Sequence, residues 1–174
     1  DKKEIAHSYP HCWRCDDPVI FRATEQWFVS LDYKDLRQRV LDEIKRTKWI
    51  PSWGESRMAK MVSERPDWCI SRQRSWGVPI PAFHCMQCRQ AHINTNTIDF
   101  VRDKFEKEGA DIWFYKDVSY FLPPDTKCSH CGGSQFQKEM DIFDVWFESG
   151  SSHHAVLHKR NELSYPADLY LEGT

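Results

Sequence analysis

Asp67-Trp68-Cys69-Ile70-Ser71-Arg72-Gln73-Arg74-Ser75-Trp76-Gly77-Val78-Pro79-Ile80-Pro81 is the stretch on which the reading of this chain turns. It opens on a short apolar core, Trp68 to Ile70, runs through a polar row from Ser71 to Arg74, and closes on Trp76-Gly77 and two prolines. The pattern predicts a buried strand whose end delivers Arg72, Gln73 and Arg74 to a working surface. Pro79 and Pro81 then send the chain out as an extended segment, because proline lacks the N–H that a central ladder needs.

Working outward, Val19 to Leu31 is rich in β-branched and aromatic residues and predicts one or two strands, with Arg22, Thr24 and Gln26 on a polar face. Asp32 is placed to cap a helix over Tyr33 to Thr47, where Leu36, Val40, Leu41 and Ile44 fall at helical spacing. Pro51-Ser52-Trp53-Gly54 breaks that pattern. A second helix is expected over Glu55 to Glu64, with Met58, Met61 and Val62 inward and Arg57, Lys60 and Arg65 on its solvated face. Arg65-Pro66-Asp67 ends it and feeds the quoted strand.

Beyond Pro81, Ile98, Val101 and Phe105 predict a helix over Thr97 to Lys107, terminated by Gly109. Phe121-Leu122-Pro123-Pro124 reads as a turn. From Met140 to His154, apolar and acidic residues alternate into a Ser/Gly turn, and Ser151 or Ser152 is placed to cap a helix through Ala155 to Lys159. Leu169-Tyr170-Leu171 is a buried-strand pattern ending at Glu172-Gly173-Thr174. The carboxyl end of a parallel strand is where α/β sheets bind nucleotides.

The 174 residues suffice for one or two small domains. Lys and Arg total 24 against 26 Asp and Glu, which argues against a strongly basic nucleic-acid module but leaves room for a local patch. No stretch is apolar enough for a membrane span. Asp1 at one end and Gly173-Thr174 at the other give the expectation of a piece excised from a larger protein.

Six of the seven cysteines form Cys-x-x-Cys pairs, and Cys69 lies alone in the apolar strand. Close pairs with one left over fit metal ligation in a reducing cytosol better than a secreted disulfide framework. Cys85/Cys88 and Cys128/Cys131, about 40 residues apart, match the two-plus-two spacing of a structural four-cysteine zinc site. Four thiolates leave no open position for water, so the expected role is structural. Glycine after Cys131 suits the positive-φ turn of such a knuckle. His84, His92 and His130 are the alternative ligands. Cys12 and Cys15, with His7 and His11 nearby, read as half of a second site whose other half lies outside this chain.

Four strings resemble the isoleucyl branch of the class I aminoacyl-tRNA synthetases. They are HSYPHCWRCDDPVIFRATEQWFVSLD from His7 to Asp32, DWCISRQRSWGVPIP from Asp67 to Pro81, DVWFESGSSH from Asp144 to His153, and YPADLYLEGT from Tyr165 to Thr174. The resemblance covers nearly the whole chain except the region between Cys88 and Cys128. It implies part of a class I (Rossmann-like) nucleotide-binding α/β fold with a zinc-bearing connective insertion. The implied divisions are residues 1–18 returning from an editing insertion, 19–81 a connective segment of the catalytic fold, 82–140 the zinc-binding insertion, and 141–174 the return to the nucleotide-binding fold. The family's H-I-G-H, K-M-S-K-S and D-Q-x-R-G-W strings are absent, so this piece alone is not expected to turn over.

The resemblance also implies roles. Glu172 and Gly173 match residues that contact the aminoacyl-adenylate, and Trp146 matches a wall of the isoleucine side-chain pocket, with Asp144 in support. Arg72, Gln73 and Arg74 would touch tRNA or, more in keeping with a guanidinium fork at a strand end, brace the scaffold. The implied parent is a cytoplasmic monomer that uses isoleucine, ATP with Mg, and tRNA(Ile). The competing reading is a free-standing zinc-ribbon module that binds RNA, which would require a clustered basic face and strongly salt-dependent binding.

Overall fold

The computed structural model describes residue 4 and residues 6–171. Its elements are β1 (Phe28–Val29), α1 (Leu36–Arg46), α2 (Trp53–Glu64), β2 (Trp68–Cys69), β3 (Ser71–Arg72), β4 (Phe83–Cys85), β5 (Ala91–His92), α3 (Thr95–Glu108), α4 (Ile112–Tyr115), β6 (Phe136–Lys138), β7 (Ile142–Phe143) and α5 (Val145–Gly150). A π-turn follows at His153–Leu157.

The stretch from Asp67 is extended as its pattern predicts, but it serves two partners instead of one. β2 lies antiparallel to β1, with Phe28 opposite Cys69. β3 lies antiparallel to β7, with Ser71 opposite Phe143. The switch falls at buried Ile70, whose N–H donates to the Trp27 carbonyl (2.9 Å) and whose carbonyl accepts from the Asp144 N–H (2.7 Å). Pro79 then bridges Ile142, and the Ile80 N–H donates to the Asp141 carbonyl at 3.0 Å. A run that alternates partners in this way stitches segments distant in sequence into one surface.

α1 and α2 pack against each other as a helical hairpin. Ile44 is the buried residue of α1, while Val40 and Met61, expected inward, are exposed. Asp32 does not cap α1. A 3-10 turn at Tyr33–Asp35 intervenes, and the Asp32 carboxylate instead accepts from Arg37 Nε at 2.7 Å. α3 runs as its spacing predicts, entered by a capping box between Asn94 and Thr97 and closed at Gly109, whose φ is +83°.

The main apolar core belongs to residues 82–140. Phe83, Cys85, Val101, Ile112, Trp113, Phe121, Cys128 and Phe136 form one buried cluster under the antiparallel sheet β5-β4-β6. Trp113 and Phe121 meet at 4.8 Å between ring centroids, and the Trp113 indole N–H donates to the Glu139 carbonyl at 2.7 Å. Lys138 lays its ammonium on the carbonyls of Trp113 and Lys116 at the end of α4.

Several expectations change. Of Val19 to Leu31, only Phe28–Val29 enters a ladder, and Ile20 and Phe21 stand exposed. Only the ends of 19–27 find main-chain partners, the Val19 N–H on the Pro10 carbonyl (3.1 Å) and the Trp27 carbonyl on the Ile70 N–H (2.9 Å), so no ladder forms between them. Ser152 takes the N-cap position of the π-turn at His153–Leu157 without a side-chain capping bond, while the Ser151 hydroxyl donates back to the Glu148 carbonyl at 2.7 Å and ends α5, a helix the alternating pattern does not announce. Leu169-Tyr170-Leu171 forms no strand and is exposed, Leu171 by 87%. All strand pairs among the described residues are antiparallel, so no parallel sheet forms within them. A parallel strand needs neighbours supplied by crossover units, and none of the described strands is placed to supply them to 169–171. The mixed α/β content stands.

Candidate functional site

The two distant Cys-x-x-Cys turns meet. Cys85 Sγ lies 3.6 Å from Cys131 Sγ, Cys88 Sγ lies 3.6 Å from Cys128 Sγ, and all four sulfurs are within 4.8 Å of one another. A disulfide needs about 2.05 Å, so these are free thiols. Four sulfurs at about 2.3 Å from one tetrahedral zinc stand about 3.8 Å apart, so the donor set fits the ion in number, element and spacing. Gly133 sits tight against this cluster: an added Cβ would lie 3.3 Å from Cys131 Sγ and would displace the end of the Gln87 side chain, 2.7 Å away.

The turns share one backbone design, and the Cys12/Cys15 turn has it too. In each, the first cysteine donates its N–H to a carbonyl further on: Cys12 to Asp17 (2.8 Å), Cys85 to Gln90 (3.0 Å), Cys128 to Gly133 (2.8 Å). In each, the residue after the second cysteine donates back to the first cysteine's carbonyl at 2.8 Å, from Asp16, Arg89 and Gly132. Those three residues have φ of +60°, +59° and +75°. Glycine is therefore sufficient but not necessary at that position, since Asp16 and Arg89 adopt the same conformation.

This design aims amide N–H groups at the first sulfur of each pair. The Cys88 amide, then burial working against it and the Gln87 amide with it, leave the Cys85 thiol at about 6. The Cys131 and His130 amides lower Cys128, and the Cys15 and Arg14 amides lower Cys12. Cys88 goes the other way, up to about 12: the Gln90 amide lowers it, but burial and the sulfurs of Cys131, Cys128 and Cys85 outweigh that. Four thiolates cannot share so small a space without a cation between them.

The candidate histidines have other work. His84 Nε2 meets Glu139 Oε2 at 2.8 Å, and His92 is buried with its ring 5.0 Å from that of Phe136. His11 Nδ1 pairs with the Asp16 carbonyl, buttressing the first knuckle.

A second constellation gathers where β3 meets β7. Arg72 Nη2 donates to Asp144 Oδ2 at 2.6 Å, while its Nη1 donates to the carbonyls of Cys69 (2.9 Å) and Ser71 (2.7 Å). Gln73 Nε2 donates to Asp141 Oδ2 (2.7 Å) and Gln26 Oε1 (3.2 Å). Arg74 makes no side-chain hydrogen bond among the described residues. Trp146 is the second residue of α5 and is 63% exposed. Tyr170 Oη donates to the Ser149 carbonyl at 3.1 Å, bringing the segment before Glu172 against α5. Glu172 and Gly173 lie outside the described residues.

Glu139 was not singled out by the sequence, yet it ties residues 82–140 to the rest. One oxygen takes the Trp27 indole N–H (2.9 Å) and faces His84, and the other takes the amides of Met140 (2.7 Å) and Asp141 (2.9 Å). Beside it a polar cleft of about 700 Å3 is lined by Arg22, Gln26, Trp27, Gln73, His84 and Asp141 among others. No helix among the described residues is long and apolar enough to cross a membrane.

The profile of the family described as tRNA synthetases class I (I, L, M and V) matches residues 2–174. The chain belongs to that family. Within it, the chain is 57% identical over 170 residues to the isoleucine–tRNA ligase of Geobacter sulfurreducens, covering 98% of this chain and 18% of that protein. The isoleucine–tRNA ligase of Moorella thermoacetica gives the same identity and coverage, and that of Petrotoga mobilis is 56% identical over 172 residues, 98% of this chain and 19% of that protein. The chain thus spans less than a fifth of the length of these relatives.

Proposed function

We propose that this chain is the segment of an isoleucine–tRNA ligase that supplies part of the aminoacyl-adenylate site and a zinc-bearing connective insertion. The parent activates isoleucine with ATP and Mg, releasing pyrophosphate, and transfers the acyl group to tRNA(Ile), working in the cytoplasm as a monomer. The observation that carries this reading is identity of 53–57% to isoleucine–tRNA ligases along almost the whole chain.

In this reading residues 1–18 return from an editing insertion, 19–81 belong to the catalytic fold, 82–140 hold the metal, and 141–174 lead back to the nucleotide. Trp146 is a flat wall for a branched aliphatic side chain. Glu172 and Gly173 hold the amino and ribose side of the adenylate. A pocket that reads size alone separates isoleucine from valine by only about 1–3 kcal/mol per methylene, so the placement of that wall matters. Zinc at Cys85, Cys88, Cys128 and Cys131 cross-links the two turns when bound; Cys12 and Cys15 give half of a second site. Arg72 and Gln73 brace the strand end, in keeping with their carbonyl and carboxylate partners.

The test is isoleucine-dependent ATP–pyrophosphate exchange by the parent enzyme. Exchange driven by isoleucine, and by valine far less efficiently, is the expected result. Exchange driven equally by an unrelated amino acid would remove the substrate assignment.

A further inference from the structure

Asp144 is a buried carboxylate, 4% exposed, set immediately before the helix that carries the exposed Trp146. Its Oδ1 accepts the Trp146 N–H at 3.2 Å. Its Oδ2 accepts the Trp68 indole N–H at 3.1 Å and Arg72 Nη2 at 2.6 Å. Its main chain is held as well: the N–H donates to the Ile70 carbonyl (2.7 Å) and the carbonyl accepts from Phe147 (2.8 Å). Phe147 in turn stacks on Phe143 with centroids 4.4 Å apart and planes 7° from parallel, and leans on Trp68.

α5 spans six residues. A helix that short does not hold itself, because its nucleation cost is never recovered along its length. Its first turn is held from outside, by the Asp144 cluster at its start and by Glu148 Oε1, which accepts the Val78 N–H at 2.9 Å. Both Asp144 carboxylate oxygens are engaged and buried, which leaves none to meet a substrate. Three donors converge on this one side chain, and only a carboxylate accepts all of them without presenting a donor of its own. The Arg72 fork is itself pinned on the Cys69 and Ser71 carbonyls, so the clamp is anchored in the quoted strand.

We infer that Asp144 is a positioning residue for amino-acid recognition: clamped by Arg72 and Trp68, it sets the first turn of α5 and through it the placement of the Trp146 indole. This rests on Trp146 being a wall of the isoleucine pocket. It assigns the accuracy of that wall to a buried charge pair that never touches the substrate.

The experiment is steady-state pyrophosphate exchange by the full-length parent carrying Asp144→Asn, Arg72→Lys or Trp146→Ala, singly, and Asp144→Asn with Trp146→Ala together. Weakening a charged hydrogen bond should raise KM for isoleucine about tenfold in Asp144→Asn, with kcat and KM for ATP nearly unchanged and the preference over valine reduced. Arg72→Lys should move the same parameters in the same direction, since an ammonium cannot span the fork's partners, and it carries the test if Asp144→Asn does not fold. In the Trp146→Ala background, Asp144→Asn should add nothing further. An equal effect of Asp144→Asn with and without Trp146, or a uniform loss of kcat with both KM values raised, would overturn the inference. So would silence of both clamp variants while Trp146→Ala is impaired. If Trp146→Ala itself leaves KM for isoleucine unchanged, the pocket reading fails, and the inference fails with it.

Discussion

Glu139 illustrates how single side chains hold this molecule together. Burial works to raise its pKa, but the Trp27 indole, the Asp141 amide, His84 and the Met140 amide outweigh it and hold the carboxyl below the ordinary glutamate value. A depressed carboxyl stabilises the fold above its unfolded pKa, near 4.5, and that contribution is lost as pH falls through the lower folded value. Glu139→Gln should therefore cost about 1 kcal/mol at pH 7, with the difference shrinking as the pH drops below the glutamate range. Urea unfolding of both proteins at neutral and acid pH checks this; a deficit independent of pH would mean the charge is not what matters. Glu139 was not legible in the sequence because Trp27 and His84 lie 112 and 55 positions away. The cysteines were legible because each pair is a local turn whose spacing states its chemistry. The bracing role of Arg72 could be anticipated from its chemistry, but its partner Asp144, 72 positions on, could be named only as support.

Among the elements, those that depend on local spacing came through the sequence and those that depend on tertiary partners did not. α3 has its capping box and terminal glycine written beside it. β1, β2 and β3 are each two residues long, defined only by the segment opposite. Leu169 to Leu171 carries a strand's composition without a strand's neighbours. The knuckles are the elements with the clearest consequence. β4 leads into one turn and β6 leaves the other, and buried Cys85 and Cys128 belong to the core cluster itself. Removing a metal bound at the four thiols should thus loosen the whole of residues 82–140. Structural zinc sites couple binding directly to folding. Chelation of the parent enzyme should raise hydrogen exchange throughout residues 82–140, including α3 and α4, and leave α1 and α2 little changed. Metal analysis should find at least one zinc per chain before chelation. Exchange unaltered in 82–140 after complete metal removal would contradict a structural role.

At the scale of the whole molecule, packing is uneven along the chain. Residues 82–140 have a closed aromatic core and a thiol cluster. The remainder is thinner, with Ile20, Phe21, Trp146, Leu169 and Leu171 all exposed. Family membership was legible from four strings spread along the chain, whereas the parallel sheet that the family resemblance implies does not form among the described residues. The near-balanced charge gives no support to a free-standing RNA-binding module. In the proposed function, Trp146 and Glu172 face one activated amino acid in the parent enzyme. Titration calorimetry with a non-hydrolysable isoleucyl-adenylate analogue reads that contact. Losing the buried aromatic contact in Trp146→Ala should weaken binding about tenfold or more, and Glu172→Ala should weaken it comparably through lost hydrogen bonds. Wild-type affinity in both variants would contradict it.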